Sequence, residues 1–426
     1  MASPRFFLSE NPQYTILDSL HDSVRFARHC LVKYRGHLCQ RATFVDSEGR
    51  PVEWHDFGVL EGPGWASNAI GGAQNLYIYG RMMGQVDVQR EALAVLDHVL
   101  DDGFIDWDSG FIKGYRHIPS DRLCLNYKST DDWFCAGSMA HMGDQLLRFS
   151  MLLGEDERAG RMRRAALQCA SWISERVQPA SNGWIPRRSC PDGSPCRLNP
   201  EGGEDILFDA SADGLYALDL WGDLVAAGMA DYRGRLRELA AVVMAEGGIF
   251  GSINHDTYDR HESVAYATSF RTFRRLATLL NDESMRAFAF DAALEGLRQF
   301  EMREDRHGVP TQGLLWMERS WDTAYLWENA EAAQAYLEAW QDTGFKRYQR
   351  KALTLLRGIA RHHHGPRGFL TEGVDWNNHV GSRHHFGGAE FGDIQYTEPL
   401  LNNLHHAEPA LNYLSMALRV DEIRGA

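Results

Sequence analysis

Acidic, basic and aromatic side chains are concentrated in one stretch near the C-terminus, residues 369–398. Its chemically active residues are Glu372, Asp375, Trp376, His379, Arg383, His384, His385, Glu390, Asp393, Tyr396 and Glu398. Carboxylates and histidines can transfer protons, and the five glycines of the stretch would let its backbone approach a ligand closely. A loop of this composition is typical of one wall of an active site that faces a polar ligand.

The overall composition favours a small polar ligand over a nucleic acid or a membrane. The chain has 426 residues, is 44% hydrophobic and carries a formal charge of -14. Because an acidic surface repels phosphate backbones and anionic lipid headgroups, we expect neither nucleic acid nor membrane as a partner. No stretch approaches the roughly twenty apolar residues that a membrane helix requires.

The N-terminus and the cysteines bear on the compartment and on cofactors. The first residues, MASPRFFLSEN, lack the basic start and the apolar run of a signal peptide. The seven cysteines are odd in number and scattered, so we expect reduced thiols in a cytoplasmic protein. The sequence contains neither a clustered Cys/His ligand set nor an Asp-rich magnesium motif, and we predict no metal and no cofactor.

Two kinds of helical pattern alternate along the chain and would position the active residues. One kind is amphipathic with an Arg/Glu-rich face, at about 17–34, 87–101, 156–177, 232–246, 283–301 and 345–363. The other kind is poor in charge and rich in Ala, Gly, Leu and aromatic residues, at about 65–82, 131–153, 210–228, 262–281, 321–340 and 398–418. A helix that is apolar on nearly all sides is buried, so the second kind is expected inside the first.

The connections between these helices alternate as well. Short linkers lead from each buried helix to the next amphipathic one, and long Gly/Pro/aromatic-rich loops lead to the next buried one. Helices joined by short loops lie antiparallel. Six outer and six inner helices describe an all-α (α/α)6 barrel, or toroid, formed as a single domain over residues 1–426. In this architecture the chain resembles the six-hairpin glycosidase-like superfamily of carbohydrate-active enzymes, without a motif that resolves the family.

The predicted barrel places all six long loops on one face, together with the N-termini of the inner helices, where acids are favoured. Candidate residues occur at every one of these starts: Trp65; Asp131, Asp132 and Trp133; Asp213; His255, His261 and Glu262; Trp321, Asp322 and Tyr325; and Glu398 after the stretch 369–398. Some polar residues there, such as Asp131 and Thr397, are also expected to cap the helices. Asp213 lies one turn inside an apolar segment, where burial would raise its pKa as a general acid requires.

These considerations yield two sets of predicted site residues. The predicted catalytic residues are Asp132, Asp213, Glu372, Asp375 and His379. The predicted substrate contacts are Trp65, Trp133, His255, Trp321, Asp322, Trp376, Asn378, Arg383, His385, Tyr396 and Glu398. Carboxylates suit proton transfer, and aromatic faces suit the C–H side of a sugar ring. The predicted partner is therefore a small saccharide.

Four functions fit this set. The first is a glycoside hydrolase that uses two carboxylates, one as acid and one as base or nucleophile. The resemblance includes unsaturated glucuronyl hydrolases, which protonate and hydrate a 4,5-double bond with an aspartate at an inner-helix start. The second is a sugar epimerase similar to the N-acylglucosamine 2-epimerase group, with His255, His379 and His385 as available bases. The third is a uronate lyase, because Asn377-Asn378-His379 resembles a motif of some alginate-lyase toroids; the fourth is a non-catalytic sugar-binding toroid.

Overall fold

The computed structural model describes residues 14–52, 59–199, 205, 207–253, 259–305, 310–318, 323–364, 367–374 and 396–424, with side chains through residue 416 in the last range. The chain is mostly helical. The helices are α1 Ile16–His29, α2 Ala69–Met82, α3 Val86–Asp101, α4 Ala136–Leu153, α5 Glu157–Arg176, α6 Leu215–Ala226, α7 Arg233–Ala245, α8 Ser263–Leu280, α9 Glu283–Ala287, α10 Leu326–Thr343, α11 Lys346–Ala360 and α12 Ala407–Arg424. A π-helical segment, Phe288–Leu294, continues α9.

The predicted alternation of helix types is observed in the burial of the helices. In α6, for example, all but two of the residues of Leu215–Ala226 are buried, whereas α7 buries only one side. Each of α2, α4, α6, α8 and α10 contacts the helix that follows it in the chain. The buried helices also contact one another in the order α2, α4, α6, α8, α10 and α12, and α12 contacts α2. We call these six helices the inner helices.

The starts of successive inner helices lie beside one another. Gly137 at the start of α4 packs against the backbone of Asp213, just before α6. The Ser263 hydroxyl at the start of α8 donates to Glu328 in the first turn of α10, over 2.8 Å. Asn68, just before α2, donates to the backbone oxygen of Leu400, upstream of α12, over 3.2 Å. We call this end of the inner helices the loop end.

Short strands pair at several points in the connecting segments. They are β1 Leu31–Tyr34, β2 His37–Gln40, β3 Val45–Asp46, β4 Leu60–Glu61, β5 Tyr115–His117, β6 Arg122–Cys124, β7 Ala324–Tyr325, β8 His363–His364, β9 Phe369–Leu370, β10 Gly373–Val374 and β11 Tyr396–Thr397. All pairings are antiparallel: β1 with β2, β4 with β5 and β5 with β6, β7 with β10, β3 with β11, and β8 with β9. The pairs β4 with β5, β7 with β10 and β3 with β11 tie different long connections to one another, and the other three pairs lie within one connection.

The inner helices begin later than the sequence pattern predicts, and the predicted caps Asp131 and Thr397 are wrong. Helix α4 starts only at Ala136, after an N-cap at Cys135 that makes no side-chain capping bond. Thr397 belongs to β11, and α12 starts at Ala407. Extended pairing is the reason, since the bridge between Phe134 and Ser189 holds the backbone straight almost to the start of α4.

A large apolar core joins the helices into one packed body. The main cluster of buried side chains runs from Leu20 in α1 to Leu411 in α12 and includes residues of every inner helix. Burial of this much apolar surface is the dominant favourable contribution to folding. Within the described ranges, no helix combines the length and the hydropathy that a membrane crossing requires.

Candidate functional site

The structure describes seven of the residues that the sequence singles out for the site: Trp65, Asp132, Trp133, Asp213, Glu372, Tyr396 and Glu398. The other nine lie outside the described residues: His255, Trp321, Asp322, Asp375, Trp376, Asn378, His379, Arg383 and His385. The described part of the candidate site is therefore the part that contains these seven residues.

The two ends of the stretch 369–398 are anchored at the loop end of the inner helices. Strand β10 pairs with β7, which leads directly into α10, and β11 pairs with β3. The Glu372 backbone N–H donates to the backbone oxygen of Tyr396 over 3.2 Å. The Leu326 backbone N–H donates to the backbone oxygen of Glu372 over 2.9 Å. Glu372 and Glu398 are both buried. The structure thus brings both carboxylates to the same end of the inner helices as Asp213.

Asp213 is a carboxylate at the loop end with the properties of a proton donor. It lies in the single 3-10 turn Ala212–Gly214 before α6, and only 2% of it is exposed. Burial raises the pKa of Asp213 to about 6, although a hydrogen bond from Ser211 and the charges of Arg187 and Arg188 oppose the shift. Within the described part of the chain, its Oδ1 has no hydrogen-bond partner. The group is therefore protonated over a wider pH range than an ordinary aspartic acid.

A glycine makes the burial of Asp213 possible. A Cβ atom at Gly137, in the first turn of α4, would lie 2.2 Å from the backbone oxygen of Asp213 and 2.9 Å from its carboxyl carbon. No side chain fits in that space. The close approach of α4 removes water from one side of the carboxyl group.

Two arginines that the sequence reasoning missed lie beside this carboxyl group. Arg188 forms an ion pair with Asp205, and Arg187 lies 3.5 Å from the same carboxylate. The Arg188 guanidinium also lies over the ring of Trp133, 5.5 Å from its centroid. The only sequence signal was an Arg-Arg pair in the long loop before α6, and nothing in the periodicity of that loop marks it.

The buried side chains of Cys135 and Tyr115 lie near Asp213 and Glu398. Burial raises the pKa of the Cys135 thiol, and the Asp213 charge raises it further. Burial likewise raises the pKa of Tyr115, with smaller contributions from Cys135 and from Glu398. Because such charge effects act over short distances, Asp213 lies near Cys135, and Glu398 lies near Tyr115.

Three further buried carboxylates, those of Glu262, Glu318 and Glu328, lie at the loop end. The Ile253 N–H donates to Glu262, the Asp259 N–H donates to Glu318 over 2.9 Å, and the Ser263 hydroxyl donates to Glu328. Each of these hydrogen bonds ties a carboxylate to a residue of another segment, so the three groups are suited to hold the loops in place.

Asp132 and Trp133 are adjacent in sequence but differ in burial. Asp132 is exposed and accepts a hydrogen bond from the Thr130 hydroxyl, whereas Trp133 is 1% exposed and packs edge-on against Tyr127. The structure thus brings Trp133 to the region of Asp213 and leaves the Asp132 carboxylate in solvent.

Trp65 belongs to an aromatic layer that crosses the space between the inner helices. Its ring centroid lies 5.3 Å from that of Tyr216, 5.5 Å from that of Trp327 and 4.7 Å from that of His141. Trp65 is 7% exposed. It therefore closes the centre of the molecule just below the loop end.

One group of metal-ligating residue types occurs among the described residues, and the sequence reasoning did not anticipate it. Ligand atoms of Cys39, Glu61 and His98 lie within 4.8 Å of one another. However, the Arg116 guanidinium lies 3.3 Å from Glu61 and 3.1 Å from Asp102, and His98 lies 3.0 Å from Glu61. Since Arg116 already supplies the positive charge, this cluster is an internal ion-pair network.

Comparisons with known proteins identify the fold. No family model matches the sequence, and no curated protein matches it. Among solved structures, a sugar epimerase from a ruminal bacterium is similar, with a TM-score of 0.61 and 12% identity over 96% of this chain and 99% of that chain. A family 76 glycoside hydrolase from a bovine Bacteroides thetaiotaomicron strain has a TM-score of 0.58 and 10% identity, over 95% of this chain and 78% of that one.

A third similar structure is an unsaturated glucuronyl hydrolase specific for heparin, with a TM-score of 0.55 and 10% identity over 94% of this chain and 97% of that chain. These neighbours are six-hairpin (α/α)6 toroid enzymes, and at 10–12% identity the likeness confirms a resemblance in fold. The family is unresolved.

Proposed function

We propose that this chain is a carbohydrate-active enzyme whose twelve helices form a single (α/α)6 toroid, with its active site at the loop end. The contacts that run around the inner helices and return from α12 to α2 support the closed ring. The similarity to an epimerase and to two kinds of glycoside hydrolase supports a saccharide as the ligand.

The reaction that we propose is hydrolysis of a glycoside, with Asp213 as the general acid. The observation that carries this proposal is the elevated pKa of Asp213, about 6 in a buried position at the loop end. A general acid must hold its proton near neutral pH and release it to the leaving oxygen in the transition state. An aspartic acid in water is almost fully ionised at that pH and could not do so.

The second carboxylate of the mechanism comes, in this proposal, from the stretch 369–398. Glu372, Asp375 and Glu398 are its candidates, and Glu372 and Glu398 are buried at the same end as Asp213. One of them would activate water or attack the sugar directly while Asp213 protonates the departing oxygen.

The substrate that we propose is a small saccharide with a uronic acid residue. Arg187 and Arg188 lie close enough to Asp213 to affect its pKa, and a uronate bound at this carboxyl group would share them with Asp205. Guanidinium groups bind carboxylates in a bidentate manner, which suits a uronate. The buried ring of Trp133, over which the Arg188 guanidinium lies, would help to position that guanidinium.

The test is to incubate the protein with saturated uronides, 4,5-unsaturated uronides, uronate polymers and free neutral sugars. Loss of the unsaturated-uronide absorbance, or release of reducing sugar from a uronide, is the expected result. Asp213→Asn should abolish it, whereas Asp209→Asn, four residues upstream in the same loop and only half-buried, should not. A gain of absorbance from a polymer would instead show a lyase, and no change in any substrate would contradict an enzyme.

A sugar epimerase is the second candidate, favoured by the similarity to the ruminal sugar epimerase over nearly the full length of both chains. This reaction needs a base and an acid on either side of the carbon next to a carbonyl group, for which His255, His379 and His385 were predicted. Incorporation of solvent deuterium at that carbon of a free sugar would establish it. The Asp213→Asn variant would not then be expected to lose all activity.

A further inference from the structure

A cavity of about 230 Å³ lies in the middle of the ring of inner helices, below the aromatic layer described above. All six inner helices or the residues just before them contribute to its lining. Trp65, Tyr216 and Trp327 form its closed end, on the side of Asp213. The aromatic layer therefore separates this cavity from the loop end.

The cavity opens at the opposite end of the inner helices. Along α8 the exposed fraction of the lining residues increases from 2% at Thr268 to 13% at Arg271 and 31% at Arg275. Along α4 it increases from 3% at Asp144 to 30% at Arg148. Since exposure rises towards the C-terminal end of both helices, the mouth lies on the face opposite to the proposed active site.

The charged side chains of the cavity wall are already paired with one another. Arg148 lies 2.9 Å from both Asp144 and Asp223, and Arg271 lies 2.9 Å from Glu408. The remaining pairs are Arg271 with Glu331 and Glu338, Arg275 with Asp219 and Asp223, and His405 with Glu331. A charged ligand would have to compete with these pairs, so the wall favours a neutral one.

Five polar atoms of the wall, in contrast, lack a hydrogen-bond partner among the described residues. They are Nε1 of Trp65, Nδ1 of His141, Oδ1 of Asp144, Oε1 of Gln145 and Oγ1 of Thr268. The Gln145 Nε2 donates to Nε2 of His141 and to Oδ1 of Asn68, each over 2.8 Å. Because Nε2 of His141 accepts a hydrogen bond, the proton of the neutral ring is on Nδ1. The cavity thus offers two N–H donors, the hydroxyl group of Thr268, the carbonyl acceptor of Gln145 and one carboxyl oxygen of Asp144 beside aromatic faces.

We propose that this cavity is a second binding site, and that it takes a neutral monosaccharide or an open-chain polyol of similar size. Hydroxyl groups can accept from Trp65 and His141 and donate to Gln145, and the C–H side of the ligand can lie against Trp327 and Tyr216. The volume is below that of pockets for drug-sized ligands, roughly 300–1,000 Å³, and therefore excludes an oligosaccharide. The site does not depend on Asp213 or on the proposed hydrolysis.

The experiment measures binding of D-glucose, D-mannose, D-galactose, D-xylose and sorbitol by calorimetry and by ligand-detected NMR. Ile78 lies half-buried in the lining on α2, so Ile78→Trp should obstruct the cavity without removing any of its five unpaired polar atoms. His141→Phe keeps the ring shape and removes the Nδ1 donor. We expect each variant to weaken binding of the preferred ligand by about tenfold or more, a loss of about 1.4 kcal/mol.

The matched control is Met82→Trp on the same helix, where the side chain is 42% exposed and outside the cavity lining. This variant should bind like the unmodified protein, and thermal unfolding of all variants will show that they are folded. The affinity for glucuronate, which is expected to bind near Asp213 at the loop end, should be the same in Ile78→Trp as in the unmodified protein. The proposal is overturned if none of the five neutral ligands binds, which would leave the cavity to water, or if Ile78→Trp and Met82→Trp bind equally.

Discussion

Replacement of Asp213 by asparagine should reduce activity and increase stability at the same time. The substitution keeps the size of the side chain and removes both its proton and its charge. A general acid accelerates its reaction by roughly 10²–10⁴-fold. We therefore expect the kcat of the variant to fall by a factor in that range for a substrate whose leaving group needs to be protonated. A merely structural aspartate would show no such loss.

The expected gain in stability follows from the pKa. Burial raises the pKa of Asp213 from its ordinary value of 3.8 to about 6. Between these pH values the folded protein holds the proton and the unfolded chain does not, so folding becomes less favourable as pH rises through this window. At pH 8 the buried charge costs about 3 kcal/mol, which is the shift multiplied by 1.36 kcal/mol per pH unit. Asp213→Asn should recover about 1–3 kcal/mol of this.

The assay is urea unfolding of both proteins at pH 8 and at pH 4, together with kcat on the substrate that the incubation experiment identifies. The stability difference should be present at pH 8 and largely absent at pH 4, where Asp213 is neutral in the folded state. Asp209→Asn serves as the control for changes in the same loop. A variant that kept full activity, or one that was less stable than the parent at pH 8, would refute the assignment.

Three other substitutions test the packing and the charges around the site and in the central cavity. Gly137→Ala should destabilise the protein by about 1–3 kcal/mol in urea unfolding, because its Cβ would lie 2.2 Å from the backbone oxygen of the proton donor; Gly160→Ala in α5, where the space is open, should be neutral or stabilising. Arg271→Met should cost about 3–5 kcal/mol, because it leaves three partly buried glutamates without their shared partner. Arg25→Met, at an exposed pair, should cost less than about 1 kcal/mol, and equal losses would contradict the role of burial. Arg187→Gln should raise KM for a uronide by about tenfold and leave KM for the matching neutral glycoside unchanged; an equal change for both would argue against uronate recognition.

The helical organisation could be predicted because it depends on local patterns. Segments such as Leu215–Ala226 are apolar on nearly all sides, and a helix of this kind is stable only when other helices surround it. The later starts of α4 and α12 could not be predicted, because they depend on pairing between segments that are far apart in sequence. Phe134 with Ser189 and β11 with β3 are examples.

The sequence by itself determined which residues are available at the loop end, because the alternation of short and long connections assigns the long loops to one set of helix ends. It also marked Asp213 as an acid in an apolar segment. Only the tertiary structure decided that Asp213 is buried and Asp132 is exposed, and that Arg187 and Arg188 lie beside the buried carboxyl group. The reason is that the pKa of an acid depends on the water and the charges around it. Here Gly137 of a neighbouring helix excludes the water, and the loop that carries Arg187 and Arg188 supplies the charges.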